Sequence, residues 1–310
     1  MFRLTPFRLT PFRLALILMV SALSAAQNPP APSTSPTNST TPTNPTSGAV
    51  SLNQSENAKK ARTLLDQTIQ ALGGEAYLTY QSKAETGRYY SLYHGRTESS
   101  GLPYNFFQKY PDKDRFEIIH QRNIFLLYGT VSDVNVKNKS DIVLIHNGDK
   151  GYEITYKGTA PQDPIDLEKY LRRRSHSMDW LFRKWMQDPE IALFYDGASV
   201  VDSKETEGVT LLNRQNDSIT VNLDQNTHYP IKISYSWRDP NDKQKNTEEE
   251  IYDNYKLVQG IWTAHSITRY YNGETSLQRF VAKASYNLNL PDSAFEAAVT
   301  YDPKAPPKKR

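Results

Sequence analysis

The histidines are the first residues to examine for chemistry, because a zinc or catalytic site needs several of them close together. No two of the six stand in an HExxH or His-x-His arrangement; they are His94, His120, His146, His176, His228 and His265. The chain has no cysteine, which excludes thiolate catalysis, cysteine-bound metals and disulfides. The sequence therefore predicts no metal and no cofactor.

Motifs for nucleophiles and nucleotides are missing as well. Gly197-Ala198-Ser199 does not extend into a GxSxG elbow, and the chain contains neither GxGxxG nor a P-loop. The acidic stretch 239–242 lacks the spaced ligands and the glycine of a calcium loop, so it predicts a hairpin turn. From these motifs we expect a protein that is not an enzyme.

Two runs of like charge remain. Glu248-Glu249-Glu250 is most simply interpreted as the solvated edge of a strand. Arg172-Arg173-Arg174 is interpreted as a solvated helix face, with an anionic head group as the alternative partner.

The N-terminus has the pattern of a secretory signal peptide. Three arginines and no acid precede an apolar run at 15–23, and the small residues Ser24-Ala25-Ala26 follow. The apolar run is much shorter than the roughly 20 residues of a membrane span. We therefore predict a signal peptide over 1–26, cleavage after Ala26 and a periplasmic protein. These three arginines account for the whole formal charge of +3, so no basic excess remains for binding nucleic acid.

Residues 27–52 form a linker of Pro, Ser, Thr and Asn that cannot bury enough surface to fold. A folded domain is expected over 53–300, and 301–310 is expected to be a flexible basic tail. At the start of the domain, apolar residues at helical spacing from Ala58 to Leu72 predict a helix that begins near Asn53 and ends at Gly73-Gly74. A second helical pattern, over 165–187, carries a stripe made by Met178, Leu181, Phe182 and Trp185.

The rest of the domain alternates apolar and polar residues with the period of strands. Residues 142–146 and 152–157 flank a turn and predict a hairpin, and Ile124–Tyr128 is another strand candidate. In the last hundred residues Ile231, Ile233, Tyr235 and Trp237 alternate with polar neighbours. We expect an α+β fold built on a strongly curved antiparallel sheet.

The order of these elements resembles the LolA/LolB-type lipoprotein-carrier superfamily over residues 56–296. The segments that carry the resemblance are Leu72-Gly73-Gly74, Tyr229-Pro230, Tyr252-Asp253-Asn254-Tyr255, Gly260-Ile261-Trp262 and Asn289–Phe295. The resemblance implies an incomplete β-barrel in which an N-terminal helix and a central helical insertion cover a concave apolar face. It also implies a cavity for acyl chains.

If such a cavity exists, one strand and one helix should face each other across it. Alternation places Ile233, Tyr235 and Trp237 on one side of their strand, and helical spacing places Phe182 and Trp185 on one stripe. These five residues are the predicted ligand-binding site. The alternative is that the same two faces form a filled core.

Three functional hypotheses follow from the sequence. The first is a periplasmic carrier or sensor that binds lipid or the acyl chains of lipoproteins. The 165–187 helix is expected to pack on the sheet, and the alternative is a peripheral membrane contact through its basic and aromatic faces. The second is a binding or scaffolding module for envelope proteins, with a filled core and no lipid. The third is an outer-membrane barrel, which would need strands longer than most of those predicted here.

Overall fold

The computed structural model describes residues 55–94, 96–97, 101–118, 136 and 138–303. The predicted signal peptide, linker, Asn53 cap and Ile124–Tyr128 strand lie outside the described residues. The described helices are α1 (Glu56–Leu72), α2 (Glu75–Thr79), α3 (Pro164–Ser175) and α4 (Met178–Arg183), with 3-10 turns at Trp185–Gln187 and Asp292–Phe295.

The strands before α3 are β1 (Ser82–Tyr93), β2 (Arg96–Thr97), β3 (Leu102–Lys109), β4 (Lys113–Ile118), β5 (Ile142–Asn147), β6 (Lys150–Thr155) and β7 (Gly158–Pro161). Those that follow α4 are β8 (Ala192–Val201), β9 (Lys204–Leu212), β10 (Ser218–Asp224), β11 (Pro230–Arg238), β12 (Lys245–Val258), β13 (Ile261–Tyr271) and β14 (Glu274–Tyr286). The predicted hairpin is β5 and β6.

These strands form one antiparallel sheet in the order β7-β6-β5-β4-β3-β1-β14-β13-β12-β11-β10-β9-β8, and β2 pairs with β1. Within the described residues the two end strands, β7 and β8, do not pair with each other, so the sheet stays open. The predicted fold class, an incomplete antiparallel barrel with helices, is confirmed.

Helix α3 shows how strongly the sheet curves. Its Tyr170 ring stacks on His146 of β5, and His176, directly after the helix, stacks on Tyr235 of β11 with 4.1 Å between ring centroids. Six strands separate β5 from β11, which in a flat sheet is about 34 Å. The helix is only about 18 Å long, so it reaches both strands because the sheet curls around it.

Helix α1 forms as the sequence predicts. The apolar positions of the predicted stripe are all buried, and the Ser55 side chain caps the helix by accepting the Ala58 N–H. The helix ends at Gly73, where φ is +131°. This backbone region favours glycine because it has no Cβ.

The two ends of α1 are fastened to strands far apart in the sheet. Asn57 Nδ2 donates to the Tyr195 carbonyl of β8 and the Tyr195 N–H donates to Asn57 Oδ1, both at 2.8 Å. At the other end Gly73 lies against the β12–β13 turn, where a Cβ would come within 2.4 Å of the Gly260 carbonyl oxygen. Helix α1 therefore spans the concave side from β8 to β13.

The main hydrophobic core fills the concave face between these strands. Helices α1 and α4 contribute Leu65, Leu181 and Phe182, and the sheet contributes Val209, Ile219, Val221, Ile233, Tyr252 and Ile267. Burial of these side chains is the dominant stabilising term for this half of the sheet.

The other half of the sheet has its core on the convex face. There the C-terminal segment covers β1 and β3, in a cluster of Ala84, Phe107, Leu290, Ala294 and Phe295. Arg115 Nη1 donates to the Ala294 carbonyl, and the Thr300 N–H donates to the Thr159 carbonyl of β7. The core thus changes from one face of the sheet to the other along the strand order.

The described helices include no segment that is both long enough and apolar enough to cross a bilayer.

Gly73→Ala should destabilise the fold by about 2–4 kcal/mol, because the new methyl group meets backbone at a positive φ. Gly273→Ala is the matched control, since its φ is +82° but open space surrounds its Cβ position. Gly273→Ala should lower the free energy of unfolding by only about 1–2 kcal/mol. Urea unfolding of both variants measures the difference, and equal losses would contradict the close approach of α1 to the β12–β13 turn.

Candidate functional site

The five residues predicted from the sequence lie on the concave side but differ in their surroundings. Phe182 and Ile233 belong to the main core, and Trp185 is buried beside them with its Nε1 donating to the Ser175 carbonyl at 2.9 Å. Tyr235 is buried under His176, and Trp237 is half-buried beneath the Arg172 guanidinium, which lies 4.3 Å from the ring centroid. Their role as ligand contacts stays a prediction.

A cleft of about 310 Å³ opens next to this group. It lies between α1 and the 3-10 turn and is lined by Arg62, Met186, Asp188 and Leu193 among others. Trp185 also lines it, whereas the described lining includes none of the other four predicted residues. The strand residues and Phe182 therefore contact protein side chains rather than this opening.

The concave face of β3, β4 and β5 is different, because the chain's own core lies on the opposite face there. Cross-strand pairing places Phe106 opposite Phe116, and Phe116 opposite Leu144. Side chains directly opposite in antiparallel strands share a face. Together with Ile118 and Ile142 they form a half-buried surface that we call the apolar wall.

Aromatic rings hold the apolar wall in place. The Tyr104 ring stacks on Phe116 with 5.3 Å between centroids, and Tyr89 meets Phe116 edge-on at 5.7 Å. Each such pair adds about 0.5–1.5 kcal/mol beyond area burial. The wall is therefore an ordered, half-buried apolar surface on the concave side of the sheet.

A line of alternating charges crosses the concave floor beside this wall. It comprises, from β1 to α3, Lys83, Glu85, Arg279, Glu250, Arg269, Glu248 and Arg173, and we call it the charged seam. Lys83 Nζ lies 2.6 Å from Glu85 Oε1, and Arg279 Nη2 lies 3.7 Å from Glu85 Oε2. Further along, Arg269 Nη2 donates to Glu250 Oε1 at 2.6 Å.

Two carboxylates of the charged seam, those of Glu250 and Glu85, are ionised because cations surround them. Burial raises the pKa of Glu250, but the Arg269 guanidinium and the Tyr252 hydroxyl outweigh this effect. The pKa of Glu250 is therefore lowered from its ordinary value to about 2. Burial likewise raises the pKa of Glu85, and Lys83 and Arg279 bring it below its ordinary value. At Glu85 and Glu250 the seam therefore consists of ion pairs and not of neutral hydrogen bonds.

This finding corrects two interpretations of the sequence. Glu248-Glu249-Glu250 is not a solvated edge, because Glu248 is buried and Glu250 is paired with Arg269 inside the sheet. Arg172 to Arg174 are not a solvated helix face either: Arg173 approaches Glu248, and Arg174 Nη1 donates to the Gly148 carbonyl. Alternation along β12 is the available signal, since it places Glu248 and Glu250 on the side of Tyr252.

Helix α3 is held at its middle and just after its C-terminal end, each time by a histidine and an aspartate. The His146 ring contacts Asp114 at 2.8 Å, and the Tyr170 hydroxyl donates to the same carboxylate. After the helix, His176 Nε2 lies 2.9 Å from Asp217. No side chain of α3 is fully buried, so these contacts fix its position.

Among the described residues, no group of three histidine or acidic side chains is placed to hold a metal ion.

Trp185→Ala should cost about 3–5 kcal/mol of unfolding free energy, because it removes a buried ring from the core. It should also enlarge the neighbouring cleft and, if the predicted site is correct, weaken retention of an acyl ligand. Trp185→Phe keeps most of the ring and loses the hydrogen bond to Ser175, so its cost should be near 1 kcal/mol beyond the lost volume. Calorimetry of both variants measures whether Trp185→Ala destabilises the protein more than Trp185→Phe does.

Glu250→Gln should destabilise the protein by on the order of 3 kcal/mol at pH 7. Because folding lowers the pKa of Glu250, its stabilising effect is complete above the unfolded value near 4.5 and disappears as the pH falls towards 2. The difference between the parent and the variant should therefore shrink between about pH 5 and pH 2. Urea unfolding at a series of pH values measures it.

Glu249→Gln is the control for this series, because Glu249 points to the other face and pairs with Lys232 at 3.0 Å. Its cost should stay within about 1 kcal/mol. A pH-independent effect of Glu250→Gln would mean that Glu250 is not the ionised partner of Arg269.

Comparisons with protein-family models and with curated proteins found no match. Among solved structures, a DUF1329 family protein from Desulfovibrio piger matches with a TM-score of 0.50 and 10% identity, over 76% of this chain and 97% of that one. An outer membrane lipoprotein-sorting protein domain from Vibrio parahaemolyticus has a TM-score of 0.46 at 13% identity, with 76% and 97% of the chains covered. A LolA superfamily protein from Nitrosomonas europaea has a TM-score of 0.45 at 10% identity, with the same coverage.

At these identities the similarity concerns the fold alone. The open sheet, the helix α1 against its concave face and the helices between β7 and β8 are the arrangement that the resemblance in the sequence predicts. The chain shares the fold of the DUF1329 family protein.

Proposed function

We propose that this protein is an exported periplasmic carrier or sensor that binds lipid, or the acyl chains of a lipoprotein, on its concave face. The observation that supports this function is the apolar wall. On β3–β5 the protein buries the convex face with its own C-terminal segment, while the apolar wall remains half-buried on the concave side. An ordered apolar surface inside a curved sheet is a binding surface for a hydrocarbon chain.

The energetics favour such a ligand. Each methylene group that leaves water contributes about 0.8 kcal/mol, so about ten methylenes against the wall would contribute on the order of 8 kcal/mol before ordering costs. The Phe106 and Phe116 rings offer broad, rigid contact at low entropic cost. Trp237, at the far end of the concave side beside α3, extends the same aromatic lining.

Export is proposed from the sequence of residues 1–26, and the partners follow from it. In the periplasm the ligand would be a free lipid or an acylated lipoprotein. The protein would also make a peripheral contact with a membrane surface. The alternative function, a protein-binding module of the envelope with no lipid ligand, requires that the apolar wall be covered by a protein partner.

Phe116→Gln should weaken binding of a fluorescent fatty-acid probe by roughly 10- to 100-fold, the value of one aromatic side chain in an apolar contact. Phe280→Gln is the matched control: Phe280 is a partly exposed phenylalanine on the same sheet but on the convex face. It should leave the affinity unchanged. Titration of the mature chain with the probe measures both.

Native mass spectrometry of the protein recovered from periplasmic extract should also show a bound lipid mass. Equal effects of the two substitutions, or probe binding that neither affects, would contradict a site on the wall. A protein that carries no lipid and binds no probe, yet cross-links to one envelope protein, would favour the alternative function.

A further inference from the structure

We propose that Arg279 binds the negatively charged head group of the ligand, so that the carrier is selective for an amphiphile with one anionic group, a carboxylate or a phosphate ester. This inference rests on the proposed function, because it uses the same concave face. It adds what the apolar wall alone does not specify, namely the chemistry of the polar end of the ligand.

Arg279 lies where the charged seam meets the apolar wall. Its guanidinium carbon is 5.7 Å from the centroid of the Phe106 ring and 5.9 Å from that of Tyr104. Cross-strand pairing with Tyr89 on β1 and Ile267 on β13 places it on the concave face. A chain lying along Phe106 and Phe116 would therefore end beside this guanidinium.

The guanidinium of Arg279 has unused donors. Its one ion pair within the described chain is with Glu85 at 3.7 Å, which is too long for a hydrogen bond. Its side chain is 24% exposed. Its buried Nε atom has no hydrogen-bond partner, and the same is true of the neighbouring Tyr104 hydroxyl and of Glu85 Oε2. By contrast, Arg269 makes two short hydrogen bonds to Glu250, at 2.9 and 2.6 Å.

Buried donors without acceptors are costly, and most are satisfied in folded proteins. For these two donors the nearest acceptor is Glu85 Oε2, which also lacks a partner, so a ligand oxygen would bind Arg279 at the exposed quarter of its side chain. Charged donors prefer an ionised acceptor, which makes hydrogen bonds about twice as strong as those to a neutral one.

The charge balance of the seam points to the same ligand. It contains four cations and three carboxylates, so one positive charge has no counterpart within it. A cationic head group would add to this excess. Glu85, the nearest carboxylate, is about 1% exposed; Lys83 binds its Oε1 at 2.6 Å, and its Oε2 lies 3.7 Å from Arg279. Asp179 also acts on Lys83 from outside the seam, and the weakly paired cations are Arg279, 3.7 Å from Glu85, and Arg173, 3.8 Å from Glu248.

The test compares three ligands with the same alkyl chain on the mature protein at pH 8: dodecanoate, dodecyl phosphate and dodecanol. Competition against the fluorescent probe should show that the unmodified protein binds at least one of the two anions ~10-fold or more tightly than dodecanol. Which anion binds more tightly distinguishes a carboxylate from a phosphate ligand.

Arg279→Gln should bring the anion and the alcohol to nearly equal affinity, while dodecanol binding stays as in the parent and reports that the fold is intact. Arg279→Lys keeps the charge and should retain a preference for the anion. Arg214→Gln removes one charge from an exposed surface pair with Glu190 and should change nothing.

Equal binding of anions and dodecanol by the unmodified protein would overturn the head-group assignment and leave the proposed function standing. A preference that persists in Arg279→Gln would overturn the role of Arg279, as would an equal loss for all three ligands in that variant. Binding of none of the three by the unmodified protein would instead contradict the proposed function itself.

Discussion

The structure depends on a hydrophobic core that lies on the concave face of one half of the sheet and on the convex face of the other half. A sheet of this size has two faces, and this chain covers the concave one with α1 and α4 on β9–β13 and the convex one with residues 288–303 on β1 and β3. Where the core changes face, the described concave surface keeps the half-buried apolar side chains of the wall, which belong to neither core cluster. The apolar wall therefore follows from how the core is divided, and it requires no specialised sequence motif.

The charged seam occupies the boundary between these two halves. Paired charges inside a protein are costly to desolvate. Replacing a buried ion pair by well-packed apolar residues therefore often leaves the protein equally stable. In this sheet the paired charges separate the filled half from the open half, since Arg269 and Glu250 lie next to Ile267 and Ile233 of the core, whereas Arg279 lies over Phe106 of the wall. A ligand on the concave face would thus have apolar and polar neighbours at fixed positions.

Much of the fold could be predicted from the sequence, because α1, the β5–β6 hairpin and the strands from β10 onwards have regular periodicity. The change of the core from one face of the sheet to the other could not be predicted. One signal for it is Ile142-Val143-Leu144-Ile145, because four apolar residues in succession indicate a strand with contacts on both faces. The ion pairs of the seam depend on register between distant strands. Glu85 and Arg279 are 194 positions apart in sequence, and no local pattern connects them.

The side chain of Asn57 and the backbone of Thr300 cover part of the two free edges of the sheet. An open sheet presents two rows of unpaired backbone groups at its ends, and such rows invite strands of a second copy to add to them, which leads to aggregation. On β8 the carboxamide of Asn57 occupies the N–H and carbonyl of Tyr195, and on β7 the chain at Thr300 occupies the carbonyl of Thr159. Both ends of the described sheet are thus partly blocked by the chain itself, which leaves fewer free edge groups to which a strand of a second copy could add.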